Sequence, residues 1–253
     1  MQPAIDVTTS TLAARDTSLP VVDVWQARLD RHEEEVVSFL EVLSPDEVER
    51  AGRFVFRRDR NRYVVARGTL RTILAQYVPL TPGDLDLAYS PLGKPELATQ
   101  ISEGSLHFNV SHAGGIALYA VSTGQRVGID VEEVVADRAE EGVARLVFST
   151  HENEVLQSLQ EPERKEAFFT YWTLKEAYAK ALGMGLQLPL TGLTISDAPE
   201  DPALRGVYDR DGQPIEPWRL IPLPILAPYK AALAVEARAF HIRYRRINDD
   251  VMS

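Results

Sequence analysis

The stretch from Phe168 to Leu186, FFTYWTLKEAYAKALGMGL, limits the possible folds of this chain more than any other. Read as a helix ending near Gly183, it carries Phe168, Tyr171, Trp172, Leu174, Tyr178 and Leu182 on nearly every side, the pattern of a buried helix rather than a surface one. Lys175, Glu176 and Lys180 interrupt that apolar envelope. Glu176 and Lys180 are four apart and share a face, whereas Lys175 lies about 100° round the helix. Each needs a partner or a ligand, because an unpaired buried charge is costly.

A chain of 253 residues has room for one large domain or two ordinary ones, each with its own core. It contains no cysteine, which excludes disulfides, thiolate zinc sites and cysteine nucleophiles. No apolar run reaches the length of a membrane span, and residues 1–18 lack the basic start and apolar centre of a signal peptide, so a cytoplasmic protein without a membrane partner is expected. The net charge of -10 argues against nucleic acid as a ligand. Yet Arg50, Arg53, Arg57, Arg58, Arg60, Arg62, Arg67 and Arg71 stand against a single acid, Asp59. Such a cluster in an acidic chain is either a solvated helix face or a local site for an anionic ligand or acidic partner.

In order, Val21–Val24 reads as a short strand and Asp30–Leu43 as helical. Ser44-Pro45-Asp46-Glu47 is a helix start, with Ser as N-cap, Pro at the first position and Glu closing a capping box. Arg62–Tyr77 continues as helix, and Tyr89–Pro95 is turn chemistry. Leu106–Val110 and Gly115–Ser122 read as strands joined by a polar connection, Ser111–Gly114, and Val127–Val131 is a further strand. Ser149-x-x-Glu152 repeats the capping box. Beyond Gly185 the prolines at 214, 217, 222, 224 and 228 predict a turn-rich region before a last strand, Lys230–Glu236.

The two halves rhyme. Each has a Ser-x-x-Glu box before a long helix, and each closes on a similar strand, IALYAVS and AALAVEA. The expected architecture is α+β, a pseudo-dimer of two similar halves with the active site in the cleft between them. Residues 19–123 form the first half and 124–245 the second, with a disordered start at 1–18 and a tail at 246–253. The arginines of the first half would then face the acids of the second.

Asp130 and Glu132 are two apart on a strand, so their carboxylates project from one face. With Glu176 they make three acids, a set that suits a hard cation such as Mg²⁺, with Mn²⁺ equally compatible. Exposed strand acids are the simpler alternative for Asp130 and Glu132.

Gly128-Ile-Asp-Val-Glu132, Phe148-Ser-x-x-Glu152 and Trp172-Thr-Leu-Lys-Glu-Ala-Tyr-x-Lys180, with Phe108-Asn-Val-Ser-His112 and Gly93-Lys-Pro95 upstream, together resemble the 4'-phosphopantetheinyl transferases. Length and two-half organisation resemble the larger, monomeric Sfp-like type. The resemblance implies a fold of two α+β halves and transfer of 4'-phosphopantetheine from coenzyme A to a serine of an apo acyl or peptidyl carrier protein. It implies Asp130, Glu132 and Glu176 as metal ligands and Glu152 as general base. Lys180 would lie at the pyrophosphate with Lys175 beside it, and Ser111 and His112 would contact the phosphates. Lys94 would lie in the adenine-side loop, and Arg53 and Arg57 would hold the 3'-phosphate. Taken alone, Glu152 completes a capping box, His112 is a hydrogen-bonded turn residue, Trp172 and Tyr178 are core, and Gly183 and Gly185 end a helix. Two other readings stand beside transfer: a catalytically silent coenzyme A-binding protein of this fold, and a different metal-assisted pyrophosphate enzyme.

Overall fold

The computed structural model describes residues 18–98, 105–135, 141–198 and 201–247. All but the last residue of the expected disordered start at 1–18, and most of the tail, lie outside these residues. In the first half come β1 (Val21–Arg28), α1 (Glu33–Glu41), α2 (Pro45–Gly52), α3 (Arg57–Leu74), β2 (Leu87–Tyr89), β3 (Pro95–Leu97), β4 (Leu106–Ala113) and β5 (Ile116–Thr123). The second half holds β6 (Val127–Glu133), α4 (Glu141–Val147), α5 (Thr150–Ser158), α6 (Glu163–Leu182), β7 (Thr194–Ala198), β8 (Asp201–Tyr208), β9 (Pro214–Pro222) and β10 (Tyr229–Glu236), and the chain continues to β11 (His241–Arg246).

Both capping boxes form. The Ser44 N–H donates to Glu47 Oε2 at 3.0 Å at the start of α2, and the Ser149 N–H donates to Glu152 Oε2 at 2.8 Å at the start of α5. Helix α6 ends where Gly183 takes a left-handed conformation, φ 72°, which an L side chain adopts only under strain.

Strands run β11-β1-β5-β4 in one sheet and β6-β10-β9-β8-β7 in the other. The sheets share a core of Val22, Val24, Leu118, Ile129, Val131 and Leu233. At their nearest edges, side chains of β4 stand in for a backbone ladder. Asn109 Oδ1 accepts the Ile129 N–H at 2.9 Å and Ser111 Oγ accepts the Val131 N–H at 3.3 Å. The opposite face of β6 receives α6, and Gly128 allows this. A Cβ at that position would collide with the α6 backbone at Ala177 and Ala181.

Several expectations are corrected here. The proline-rich region is sheet: Pro214 and Pro222 sit at the two ends of β9, and Pro217 falls between Pro214 and Arg219, where the register with β8 slips. Those are places where a strand tolerates a missing N–H. Ser111 and His112 lie within β4 rather than in the connection, which is Gly114–Gly115. Lys230–Glu236 is followed by β11, which leaves the second half and pairs in parallel with β1, Val21 opposite His241. Residue 246 thus belongs to a strand rather than to a tail. Asp23, 3% exposed on β1, accepts from Tyr77 Oη at 2.7 Å and is ion-paired to Arg243 and Arg245 of β11.

Candidate active site

With α6 resting on Gly128, three elements converge on one point. Asp130 of β6 is 2% exposed, and its Oδ1 accepts from Lys180 Nζ of α6 at 2.6 Å and from Ser111 Oγ of β4 at 3.0 Å. Lys180 Nζ also donates to Ser111 Oγ at 2.8 Å, closing a triangle. One turn before Lys180, Glu176 turns to the same place. Burial first, then the charges of Asp130 and Glu132, push its carboxyl above the ordinary range, against the opposing pull of Lys180. His112 stands next to Ser111 on β4, and desolvation together with the Lys180 charge holds its imidazole below the usual value.

Two oxygens here have no hydrogen-bond partner though both are buried: Asp130 Oδ2 and Glu176 Oε1. Buried carboxylate oxygens are costly to leave unmatched. Two such atoms close to a third acid, Glu132, fit a hard cation that takes oxygen ligands. As they stand, no three or more acid, histidine or cysteine side chains among the described residues are grouped so as to hold a metal ion. Lys180 holds the position of counter-charge to Asp130.

Glu152 and Lys175 lie elsewhere. They form a buried ion pair of 2.6 Å, with side chains 0% and 1% exposed. Every polar atom is satisfied: Glu152 accepts from the Ser149 and Ile195 N–H groups at 2.8 Å each, and Lys175 Nζ donates to the carbonyls of Val147, Leu190 and Leu193 at 3.0, 2.8 and 2.8 Å. A general base needs access to its proton donor, and Glu152 has none. The expected placement of Lys175 beside the pyrophosphate is corrected for the same reason. The first half holds the same device. Glu47 of its capping box, 1% exposed, pairs with Arg67 and Arg71 of α3 at 2.7 and 2.6 Å, and Arg71 donates on to the carbonyls of Pro82 and Leu85. Two of the eight clustered arginines are therefore internal.

Lys94 reaches the end of α6 from the loop after β2, where its Nζ donates to the Ala181 carbonyl at 3.1 Å, one residue from Lys180. Desolvation lowers its pKa to about 8. Arg53 and Arg57 are surface residues paired with Glu49 and Glu33 at 2.6 and 3.3 Å. Neither is among the residues that line the cleft between the halves. That cleft, with a volume of 670 Å³, has Arg28, Arg58 and Arg62 on one wall, Glu133 and Tyr229 on the other and the Gly114–Gly115 turn between them. Two of the clustered arginines, Arg58 and Arg62, thus share the cleft with an acid of the second half, Glu133.

Residues 25–124 match the family model described as 4'-phosphopantetheinyl transferase, N-terminal, and residues 126–234 match that of the 4'-phosphopantetheinyl transferase superfamily. The chain is 38% identical over 182 residues to the 4'-phosphopantetheinyl transferase HetI of Nostoc sp., covering 72% of this chain and 76% of that one. It belongs to the 4'-phosphopantetheinyl transferase superfamily. It is also 31% identical to the putative 4'-phosphopantetheinyl transferase slr0495 of Synechocystis sp., over 83% of this chain and 82% of the relative. To the 4'-phosphopantetheinyl transferase Sfp of Bacillus subtilis it is 28% identical, over 64% and 70%. The seam between the two family models falls at Gln125, in the turn between β5 and β6.

In this transferase, sequence reasoning missed Asn109, which ties β4 to β6, and the Glu47–Arg67–Arg71 cluster. The latter had a signal: a capping-box acid followed by two arginines four apart on the next helix. Lys230 was also missed. It stands across the β6–β10 ladder from Glu132 and pairs with Glu166 of α6 at 2.5 Å. Among the described residues no helix is long and apolar enough to cross a membrane.

Proposed function

We propose that this transferase moves 4'-phosphopantetheine from coenzyme A to a serine of an apo acyl or peptidyl carrier protein, with Mg²⁺ or Mn²⁺ bound, as an enzyme of the larger two-half type. The observation that carries the reading is the junction of Ser111, Asp130, Glu176 and Lys180, with its two unpartnered carboxylate oxygens at the seam of the halves. In the transfer the serine oxygen forms a bond to the β-phosphorus, the bond from that phosphorus to the bridging oxygen breaks, and adenosine 3',5'-bisphosphate leaves. Asp130, Glu132 and Glu176 would hold the cation, which when bound neutralises charge on the pyrophosphate. Lys180, released from Asp130, is placed to stabilise the charge growing on the leaving phosphate oxygen. Ser111 and His112 line the same wall and donate to phosphate oxygens. With Glu176 engaged in holding the cation, the serine proton leaves through water at the junction. Lys94 supports the adenosine side from the end of α6. Glu152 and Lys175 act only by holding α5 and α6 together.

Intact-protein mass spectrometry of an apo carrier incubated with coenzyme A, Mg²⁺ and this enzyme tests the reading. A gain of one phosphopantetheine, abolished by chelation and by Glu176→Ala, is expected. Calorimetric binding of coenzyme A without any mass gain across several unrelated carriers would overturn it and leave a silent binder.

A further inference from the structure

Strand β6 is held on every side at Asp130. One face packs into the core through Ile129 and Val131, 0% and 1% exposed, and the other receives α6 at Gly128. One edge is laddered to β10, with Asp130 opposite Ala232. The remaining edge is turned to β4, and among the described residues no backbone ladder joins those two strands. They are joined instead by side chains on either side of Asp130. Asn109 Oδ1 accepts the Ile129 N–H at 2.9 Å, and Ser111 Oγ accepts the Val131 N–H at 3.3 Å.

These two bonds are not equivalent. A serine hydroxyl has one proton to donate and two lone pairs to offer. At Ser111 the proton goes to Asp130 Oδ1 at 3.0 Å, and the lone pairs take Lys180 Nζ at 2.8 Å and the Val131 N–H. Nothing is left for a phosphate oxygen. A phosphate at the junction must therefore draw the proton away from Asp130, and the turning hydroxyl carries its lone pairs off the Val131 N–H, already the longer of the two bonds. Asn109, 4% exposed, takes no part in that exchange, since its amide oxygen is committed to backbone. A buried N–H that loses its acceptor is costly, so this bond is the one that outlasts the arrival of ligand.

We infer that Asn109 is a positioning residue for the cation: it fixes the β6 backbone at Asp130, and with it the buried, unpartnered Asp130 Oδ2, while Ser111 changes partner. This rests on the metal-dependent transferase reading above. Asn109 touches neither cation nor substrate and acts through Asp130 alone. Ser111 supplies the logic of the control, because it shows that an Oγ on β4 can reach a β6 N–H. Asn109→Thr keeps such an acceptor, whereas Asn109→Val has the same shape without one.

The readouts are Mn²⁺ affinity by electron paramagnetic resonance in the presence of coenzyme A, coenzyme A affinity by calorimetry without metal, kcat by carrier mass gain, and thermal unfolding. Asn109→Val should weaken Mn²⁺ binding and lower kcat, each by about tenfold, with metal-free coenzyme A affinity held within about twofold and Asn109→Thr returning both losses to within about threefold of wild type. If the valine variant does not fold, Asn109→Ala and Asn109→Ser make the same comparison at smaller volume. Wild-type Mn²⁺ affinity in a folded variant that lacks the acceptor would overturn the inference, as would a threonine or serine no better than its apolar counterpart. If the wild type binds Mn²⁺ but transfers nothing, the metal arm still decides: a loss in the valine that the threonine restores keeps the role of Asn109 while the transfer reading falls. No Mn²⁺ bound by the wild type removes both.

Discussion

Helices α3 and α6 occupy corresponding places in the two halves, and each is anchored by the same device. An acid from the preceding capping box is buried and paired with a base on the long helix, and that base donates onward to carbonyls after it: Glu47 with Arg71, then Pro82 and Leu85; Glu152 with Lys175, then Leu190 and Leu193. The next position differs. Thr72 after Arg71 closes a hydrogen bond within its own helix, to the Gly68 carbonyl at 2.9 Å. Glu176 after Lys175 leaves a buried oxygen unmatched, close enough to Asp130 to feel its charge. A device present in both halves, when only one has the acids, belongs to the architecture. The candidate site is what was added beside it.

The largest test of that comparison removes one partner of each buried pair. Lys175→Met should cost about 3–5 kcal/mol in denaturant unfolding, because it strands a buried carboxylate, and Arg71→Met should cost less, because Glu47 keeps Arg67. The double variant Glu152→Met with Lys175→Met should recover most of the loss and still transfer phosphopantetheine. A double variant that is stable yet inactive would return Glu152 to the chemistry.

Gly128→Ala asks whether the closeness of α6 to β6 is what assembles the site. The added methyl meets helix backbone, so about 1–3 kcal/mol of stability should be lost by thermal unfolding. Transfer should fall further than stability alone explains, since Glu176 and Lys180 retreat from Asp130. Equal activity at a temperature where the variant is fully folded would break the link.

A smaller effect concerns the strand exchanged between the halves. Arg243, Tyr77 and Arg245 together hold the Asp23 carboxyl below its ordinary value of 3.8, against the opposing effect of burial. A depressed carboxyl contributes stability that is present above the unfolded value and is lost as pH falls through the folded one. The stability difference between wild type and Arg243→Leu should therefore shrink as urea titrations move below pH 3.8, and a pH-independent difference would contradict the assignment.

The smallest effect is at Lys94. With its pKa near 8, it loses its proton in the slightly alkaline range, so coenzyme A affinity measured by calorimetry should decline a few-fold as pH rises through about 8. Lys94→Met should flatten that slope. The same slope in the variant would place the titrating group elsewhere.

Much of this was legible in the chain. The helix over Phe168–Leu182 followed from its apolar envelope, and both helix starts followed from Ser-x-x-Glu, since these depend on residues near one another in sequence. The triad of acids was legible through period two on β6 and the interruption in α6. Partner choice was not. Which charge in a buried helix meets which counter-charge depends on tertiary packing, so Lys175 and Lys180, five residues apart, serve unrelated ends. Composition also misread β9, because prolines signal turns unless they fall at strand ends and slips in register.

The pairing of β11 with β1 has a consequence for the order of synthesis. Among the described strands β11 is made after all the others, and it covers the open edge of β1, which precedes them. Until then β1 presents unpaired backbone along that edge, and the N-terminal half exists as a sheet one strand short. Strand β1 is thus made long before its edge is completed. A fragment ending at the seam near Gln125 inherits an adhesive border that the whole protein never shows.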